Sequence, residues 1–133
     1  MSTTILIDSS VWVEVSRKTG DESLQAELAA LLRAGRTAMT WPVWVELHQG
    51  AKGKREEENL KGWREVSHWL DFDDACWVEA AKIARACLQA GVNVPFGDVL
   101  VFACATRHGV ELLERDRHFG MIARVNLKYQ TNK

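Results

Sequence analysis

The sequence predicts an α/β fold, a mainly parallel sheet with helices between its strands. Short runs of isoleucine, valine and leucine alternate with longer segments in which apolar residues recur at helical spacing. Glycine or proline marks several of the joins, as at Gly35, Pro42 and Gly91. The longest uninterrupted apolar run, residues 99–105, falls inside one helical segment, which is therefore expected at the centre.

Residues 5–7 read as a buried strand that ends at Asp8. A helix follows over 9–16, with Asp8, Ser9 or Ser10 available as its N-cap, and then a loop over 17–20. Leu24, Leu28, Leu31 and Leu32 predict a helix over 22–34, which Gly35 stops. Residues 37–41 suit a second strand. Pro42 then sits at the first position of a helix over 42–50, where its missing N–H costs nothing. The next helix is expected from Arg55-Glu56 to Leu70, followed by a stub of strand at Asp71-Phe72. Helices over 74–90 and 97–108 come next, then a strand over 110–113 and another over 123–129.

A chain of 133 residues buries about two-thirds of its unfolded surface, so a single domain over 1–133 is expected. Hydrophobic residues at 47% with only 2 prolines exclude collagen-like and disordered classes. No run approaches the roughly twenty apolar residues of a membrane span. The start, Met1-Ser2-Thr3-Thr4, lacks the basic residues of a signal peptide, so a cytoplasmic location is expected. Cys76, Cys104 and Cys87 show no C-x-x-C spacing and read as buried free thiols, not as a disulfide framework or zinc knuckle. A net charge of −1 means that any polyanionic partner must be met by local patches.

Four acids run against the hydrophobic pattern. Asp8 ends the first strand, Glu46 edges an apolar stripe, Asp98 heads the most apolar helix, and Asp116 follows the strand over 110–113. Each has an ordinary reading in turn: an N-cap, a rim glutamate, a partner for the helix dipole, a solvated turn. Yet three stand at strand ends or helix starts, where a parallel sheet opens its crevice. Converging carboxylates raise one another's pKa, and a hard divalent cation relieves the repulsion. Two such ions about 4 Å apart can activate a water and stabilise the leaving oxygen of a phosphodiester. Ser10, two positions after Asp8, can hold a water or a phosphate oxygen.

The segments Ile7-Asp8-Ser9-Ser10-Val11-Trp12, Pro42-Val43-Trp44-Val45-Glu46-Leu47, Pro95-Phe96-Gly97-Asp98-Val99-Leu100-Val101 and Leu112-Leu113-Glu114-Arg115-Asp116-Arg117-His118-Phe119 resemble the motifs of PIN-domain ribonucleases. The likeness is to the VapC-type toxins of toxin–antitoxin pairs, and it covers nearly the whole chain. It implies a three-layer α/β/α sandwich and an endoribonuclease that uses Mg²⁺ or Mn²⁺. Asp8, Glu46, Asp98 and Asp116 would be the catalytic and metal-holding acids, with Ser10 in support. It also implies a tRNA or ribosomal RNA substrate, a small cognate antitoxin and a homodimer. Glu114 departs from the pattern, because many relatives have threonine there; strand alternation puts it on the side of Asp116.

Arg17, Lys18, Arg115 and Arg117 flank the acid motifs and suit an RNA backbone. Six tryptophans are expected mostly in packing, with Trp12 the best candidate for a partner or dimer contact. His118 reads as a structural or surface histidine that can also assist the site. No H-E-x-x-H, G-x-S-x-G or Walker loop occurs. Two other classes compete. One is a non-catalytic binding module of the same fold, told apart by failure to bind Mn²⁺. The other is aspartyl phosphoryl transfer through Asp8, disfavoured because Ser10 stands where a second acid is needed.

Overall fold

The computed structural model describes residues 3–131, the side chains of 127–131 excepted. In chain order the elements are β1 (Ile5–Ile7), α1 (Ser9–Val15), α2 (Glu22–Arg33), β2 (Thr37–Thr40), α3 (Trp41–Gly50) and α4 (Lys54–Val66). Then come β3 (His68–Leu70), α5 (Asp74–Gln89), α6 (Phe96–His108), β4 (Glu111–Leu113) and α7 (Arg117–Thr131). The sheet has the order β3-β2-β1-β4, and every pairing is parallel. Leu6 faces Ala38 on one side and Leu112 on the other. Helices cover both faces, which gives three α/β/α layers.

The two central strands are buried without alternation, as a sheet covered on both faces requires. Leu6, Ile7, Ala38 and Met39 are fully buried. The threonines of β2 are buried too, and each finds a partner. Thr40 Oγ1 donates to the Leu70 carbonyl at 2.8 Å, and the Thr37 and Ser67 hydroxyls meet at 3.0 Å. Helix α6 is buried on nearly every side through Val99, Leu100, Val101, Ala103, Cys104 and Ala105. It packs on α3, α5 and α7, so the element with the longest apolar run is indeed central. Gly109 ends it in the left-handed region at φ 63°, and the chain turns directly into β4.

Three expectations are corrected. The helix expected to reach Leu70 ends at Val66, and the strand expected at Asp71-Phe72 lies at His68–Leu70. Ser67 turns extended there so that residues 68–70 can pair with β2. The Trp69 ring then meets the edge of Trp41, and Arg64 lies over the Trp69, Trp44 and Trp41 rings at 4.3, 5.0 and 5.4 Å. Pairing and ring contacts outweigh the helical pattern of the preceding residues. The strand expected over 123–129 is part of α7, because Phe119, Ile122 and Val125 recur at helical spacing and bury one face. Trp12 is not at a partner surface. It is fully buried and stacked on Trp63 with centroids 4.8 Å apart, joining α1 to α4.

Candidate active site

In the strand order, β2 and β3 lie on one side of β1 and β4 on the other. The crossover direction therefore reverses between β1 and β4, and a crevice opens beyond the carboxyl ends of these strands. Asp8 emerges from β1 there, and its N–H donates to the Leu113 carbonyl at the end of β4 at 3.0 Å. Its side chain caps α1: Oδ2 accepts from the Ser10 N–H at 3.1 Å and the Ser10 hydroxyl at 2.6 Å. The ordinary N-cap reading is therefore met in full, yet it uses one oxygen only. Oδ1 is buried and has no hydrogen-bond partner among the described residues.

The Ser10 hydroxyl accepts in turn from the Arg115 N–H at 3.1 Å. It thus ties the segment after β1 to the segment after β4. Its proton is directed to Asp8, so Ser10 helps to fix the position of that carboxylate.

Glu46 stands on α3, and the Ser9 hydroxyl donates to its Oε1 at 3.2 Å. Its other oxygen lies against the backbone of Gly97, where an added Cβ would meet Oε2 at 2.6 Å. Asp98 follows in the first turn of α6 and is only 6% exposed. Its Oδ2 is buried and, among the described residues, meets only the His118 ring, at 3.4 Å. Asp116 precedes α7, where the His118 N–H donates to Oδ1 at 2.9 Å. The Asp116 N–H donates to Glu114 Oε2 at 2.9 Å. The His118 ring brings Nδ1 to 2.5 Å from Asp116 Oδ1 and 3.4 Å from Asp98 Oδ2. Donor atoms of Asp98, Asp116 and His118 all lie within 4.8 Å of one another.

The electrostatics follow from burial and crowding. Burial lifts the Asp98 carboxyl to about 8, with the hydrogen bond and charge of Asp116 and the charges of Asp8 and Glu46 adding to it. Burial also raises Asp8 against the two Ser10 hydrogen bonds. It raises Glu46, with the Asp8 charge adding, and Glu114 as well. Asp116 is held low. Partial burial opposes this, but hydrogen bonds from the His118 N–H, Asp98 and the His118 ring outweigh it. The pair is thus polarised, with Asp98 pushed toward its protonated form and Asp116 toward its ionised form. Four carboxylates, with a buried Asp8 Oδ1 that has no hydrogen-bond partner among the described residues, fit a hard divalent cation, which would supply the charge these groups lack.

All four acids singled out in the sequence therefore meet at one place. Ser9, Gly97 and Glu114 join them. His118 lies at the same place, with its ring against Asp116 and Asp98. Its position two residues after Asp116, opening a helix, is the signal that would have placed it. The basic residues are less uniform. Arg17 is exposed, with Glu14 at 3.6 Å, and lines a cleft of about 370 Å³ with Ser9, Ser10 and Arg115. Arg115 pairs with Asp21 at 2.6 Å. Lys18 lines a second cleft with Glu46 and Arg55, and Arg117 is exposed.

The PIN domain family model matches residues 5–125. The chain is 38% identical over 125 residues to VapC ribonuclease Mb1587 of Mycobacterium bovis and to ribonuclease VapC11 of Mycobacterium tuberculosis, covering 91% of this chain and 92% of each relative. Among solved structures, FitAcB from Neisseria gonorrhoeae superposes with a TM-score of 0.74 at 22% identity, covering 91% of this chain and 94% of that one. VapBC2 from Rickettsia felis, bound to a DNA fragment from its promoter, superposes with a TM-score of 0.73 at 19% identity, covering 86% and 88%.

The raised carboxyls fix the sign of a pH effect. Folded, metal-free protein keeps a proton on Asp98 up to about pH 8, whereas an ordinary aspartate loses it near 3.8. The stabilisation is full below that lower value and disappears as pH rises through the upper one. Asp8, Glu46 and Glu114 act in the same direction. Chelator-treated protein is expected to melt at a higher temperature at about pH 6 than at about pH 8, and Asp98→Asn should narrow the gap. Thermal melts at the two pH values check this; a higher melting temperature at the upper pH would contradict it.

Proposed function

The chain belongs to the PIN domain family, and from that premise we propose that it is the ribonuclease toxin of a toxin–antitoxin pair. It cleaves RNA phosphodiesters at Asp8, Glu46, Asp98 and Asp116 with Mg²⁺ or Mn²⁺. The observation that carries this reading is the convergence of these carboxylates where the strand order reverses, with Asp8 Oδ1 buried and unpartnered among the described residues. A bound divalent ion supplies a water of lowered pKa and charge stabilisation for the leaving oxygen.

The chain's own residues prepare the site. Asp8, Glu46, Asp98 and Asp116 present oxygens that other hydrogen bonds leave free. Ser10 and Ser9 fix the orientation of Asp8 and Glu46. His118 favours the ionised form of Asp116, and Asp98 would have to release its proton to hold a cation. Arg17 and the Ser9–Ser10 backbone line the cleft through which a phosphate chain can approach Asp8. Lys18 and Arg117 extend the basic rim, and Arg115 joins it only by leaving Asp21. The substrate is a transfer or ribosomal RNA, and a small antitoxin is the cognate inhibitor. Free Cys76, Cys87 and Cys104 thiols suit the reducing cytoplasm.

The protein is a homodimer in this reading. Trp41, Val45, Trp77 and Phe96 are 46%, 59%, 50% and 69% exposed, and they line one cleft of about 470 Å³. A contiguous apolar face of this kind suits a second copy of the chain.

The activity is tested with purified protein on labelled transfer and ribosomal RNA in Mg²⁺, Mn²⁺ or EDTA. Discrete cuts are expected with either ion and none with chelator. Asp98→Asn should lower the rate by about 100-fold or more while the protein stays folded, since even outer-shell changes at metal sites cost about 10–100-fold. Full activity in that variant would sink the assignment. Gly97→Ala is expected to keep its melting temperature yet lose activity, because the new Cβ displaces the Glu46 carboxylate. Light scattering is expected to give a dimer for the wild type and a monomer for Val45→Glu.

A further inference from the structure

A second cluster of donors lies between α5 and α6, apart from the acids. Cys104 and His108 are one helical turn apart on α6, so their side chains share a face. Cys76 projects from the first turn of α5 toward that face. Both thiols are fully buried, and they interact directly with each other. The two sulfurs and a ring nitrogen of His108 all lie within 4.8 Å of one another. His108 stands at the solvent edge and gives the cluster a way in.

Burial keeps both thiols protonated while no cation is bound, pushing Cys104 up to about 12, but oxygen atoms stand at the cluster's edge. The Asp71 carbonyl accepts from His108 Nε2 at 2.7 Å and from the Cys76 thiol at 3.7 Å. The Asp73 carboxylate, which caps α5 through the Cys76 N–H, couples electrostatically to Cys76, Cys104 and His108. A thiol pair alone would be ordinary core packing. A histidine at the same point, with a carboxylate coupled to all three donors, is the composition of a Cys₂His site with an oxygen donor in the fourth place.

We propose that Cys76, Cys104 and His108 bind a thiophilic divalent cation of the Zn²⁺ type, with Asp71 or Asp73 supplying an oxygen. Each thiol gives its proton to solvent as its sulfur bonds the ion, so two protons leave per cation bound. Sulfur and imidazole donors discriminate against Mg²⁺, whereas the acid site prefers it. The two sites therefore take different ions. The cation would pin the start of α5 to the last turns of α6. Asp98 opens the same helix, about 9 Å along its axis from Cys104 at 1.5 Å per residue.

Co²⁺ is the probe, added to reduced full-length protein. Thiolate ligation gives an intense near-ultraviolet charge-transfer band, which oxygen ligands at the acid site cannot produce. The expected result is that band at one Co²⁺ per chain, with Zn²⁺ displacing it and raising the melting temperature. Cys76→Ala and Cys104→Ala should abolish the band. His108→Gln should weaken Co²⁺ binding by about 10-fold or more. His108 is exposed, so its variant decides the matter even where a core cysteine variant does not fold. No thiolate band in reduced protein would overturn the proposal, as would a band of unchanged affinity in His108→Gln. The readout is independent of ribonuclease activity.

Discussion

Carboxylates held close together out of water are the constraint around which this fold is arranged. Bringing Asp8, Glu46, Asp98 and Asp116 into one crevice is unfavourable while they are all charged. The metal-free protein answers by keeping a proton on Asp98 and by surrounding the others with hydrogen bonds from Ser9, Ser10 and His118. Each device is partial. Among the described residues Asp8 Oδ1 has no hydrogen-bond partner and Asp98 Oδ2 has only the His118 ring at 3.4 Å, so the cluster is left short of positive charge.

The scaffold exists to make that crowding tolerable. A parallel sheet buried on both faces places the ends of β1 and β4 level with one another, fixed by the Asp8 N–H to Leu113 carbonyl bond. Helix α6 is apolar almost all round, and the surrounding core holds Asp98 in position. Gly97 leaves room for the Glu46 carboxylate at a distance no side chain permits. The Trp12–Trp63 stack and the Arg64 contacts with three indoles hold the α1, α3 and α4 side of the crevice against the core.

Ordinary and functional readings of a residue need not compete. Asp8 is a good N-cap and a site carboxylate at once, because it has two oxygens and capping uses one. Asp116 likewise accepts from the backbone ahead of α7 while facing Asp98. Helix starts supply N–H groups that keep an acid ionised, so a cation site gathers there readily. Arg115 shows the reverse. It flanks an acid motif in sequence, yet its guanidinium is engaged by the α2 cap Asp21.

The sequence by itself determined the alternation of strands and helices and the central place of α6, and it singled out the four acids that the fold brings together. These are local properties: apolar period, capping residues, and charge where the pattern calls for none. It placed the strand at 68–70 two or three residues late and mistook part of α7 for a strand. Pairing with β2 and the burial of Phe119, Ile122 and Val125 decide those segments, and both depend on residues distant in the chain. Trp12 misled for the same reason, since its partner Trp63 lies on another helix. Only the tertiary structure brought His118 to Asp98, set Gly97 beneath Glu46, and placed Cys76 beside Cys104 and His108. No spacing rule reaches such contacts, because they are made by the packing of elements and not by the order of residues within one.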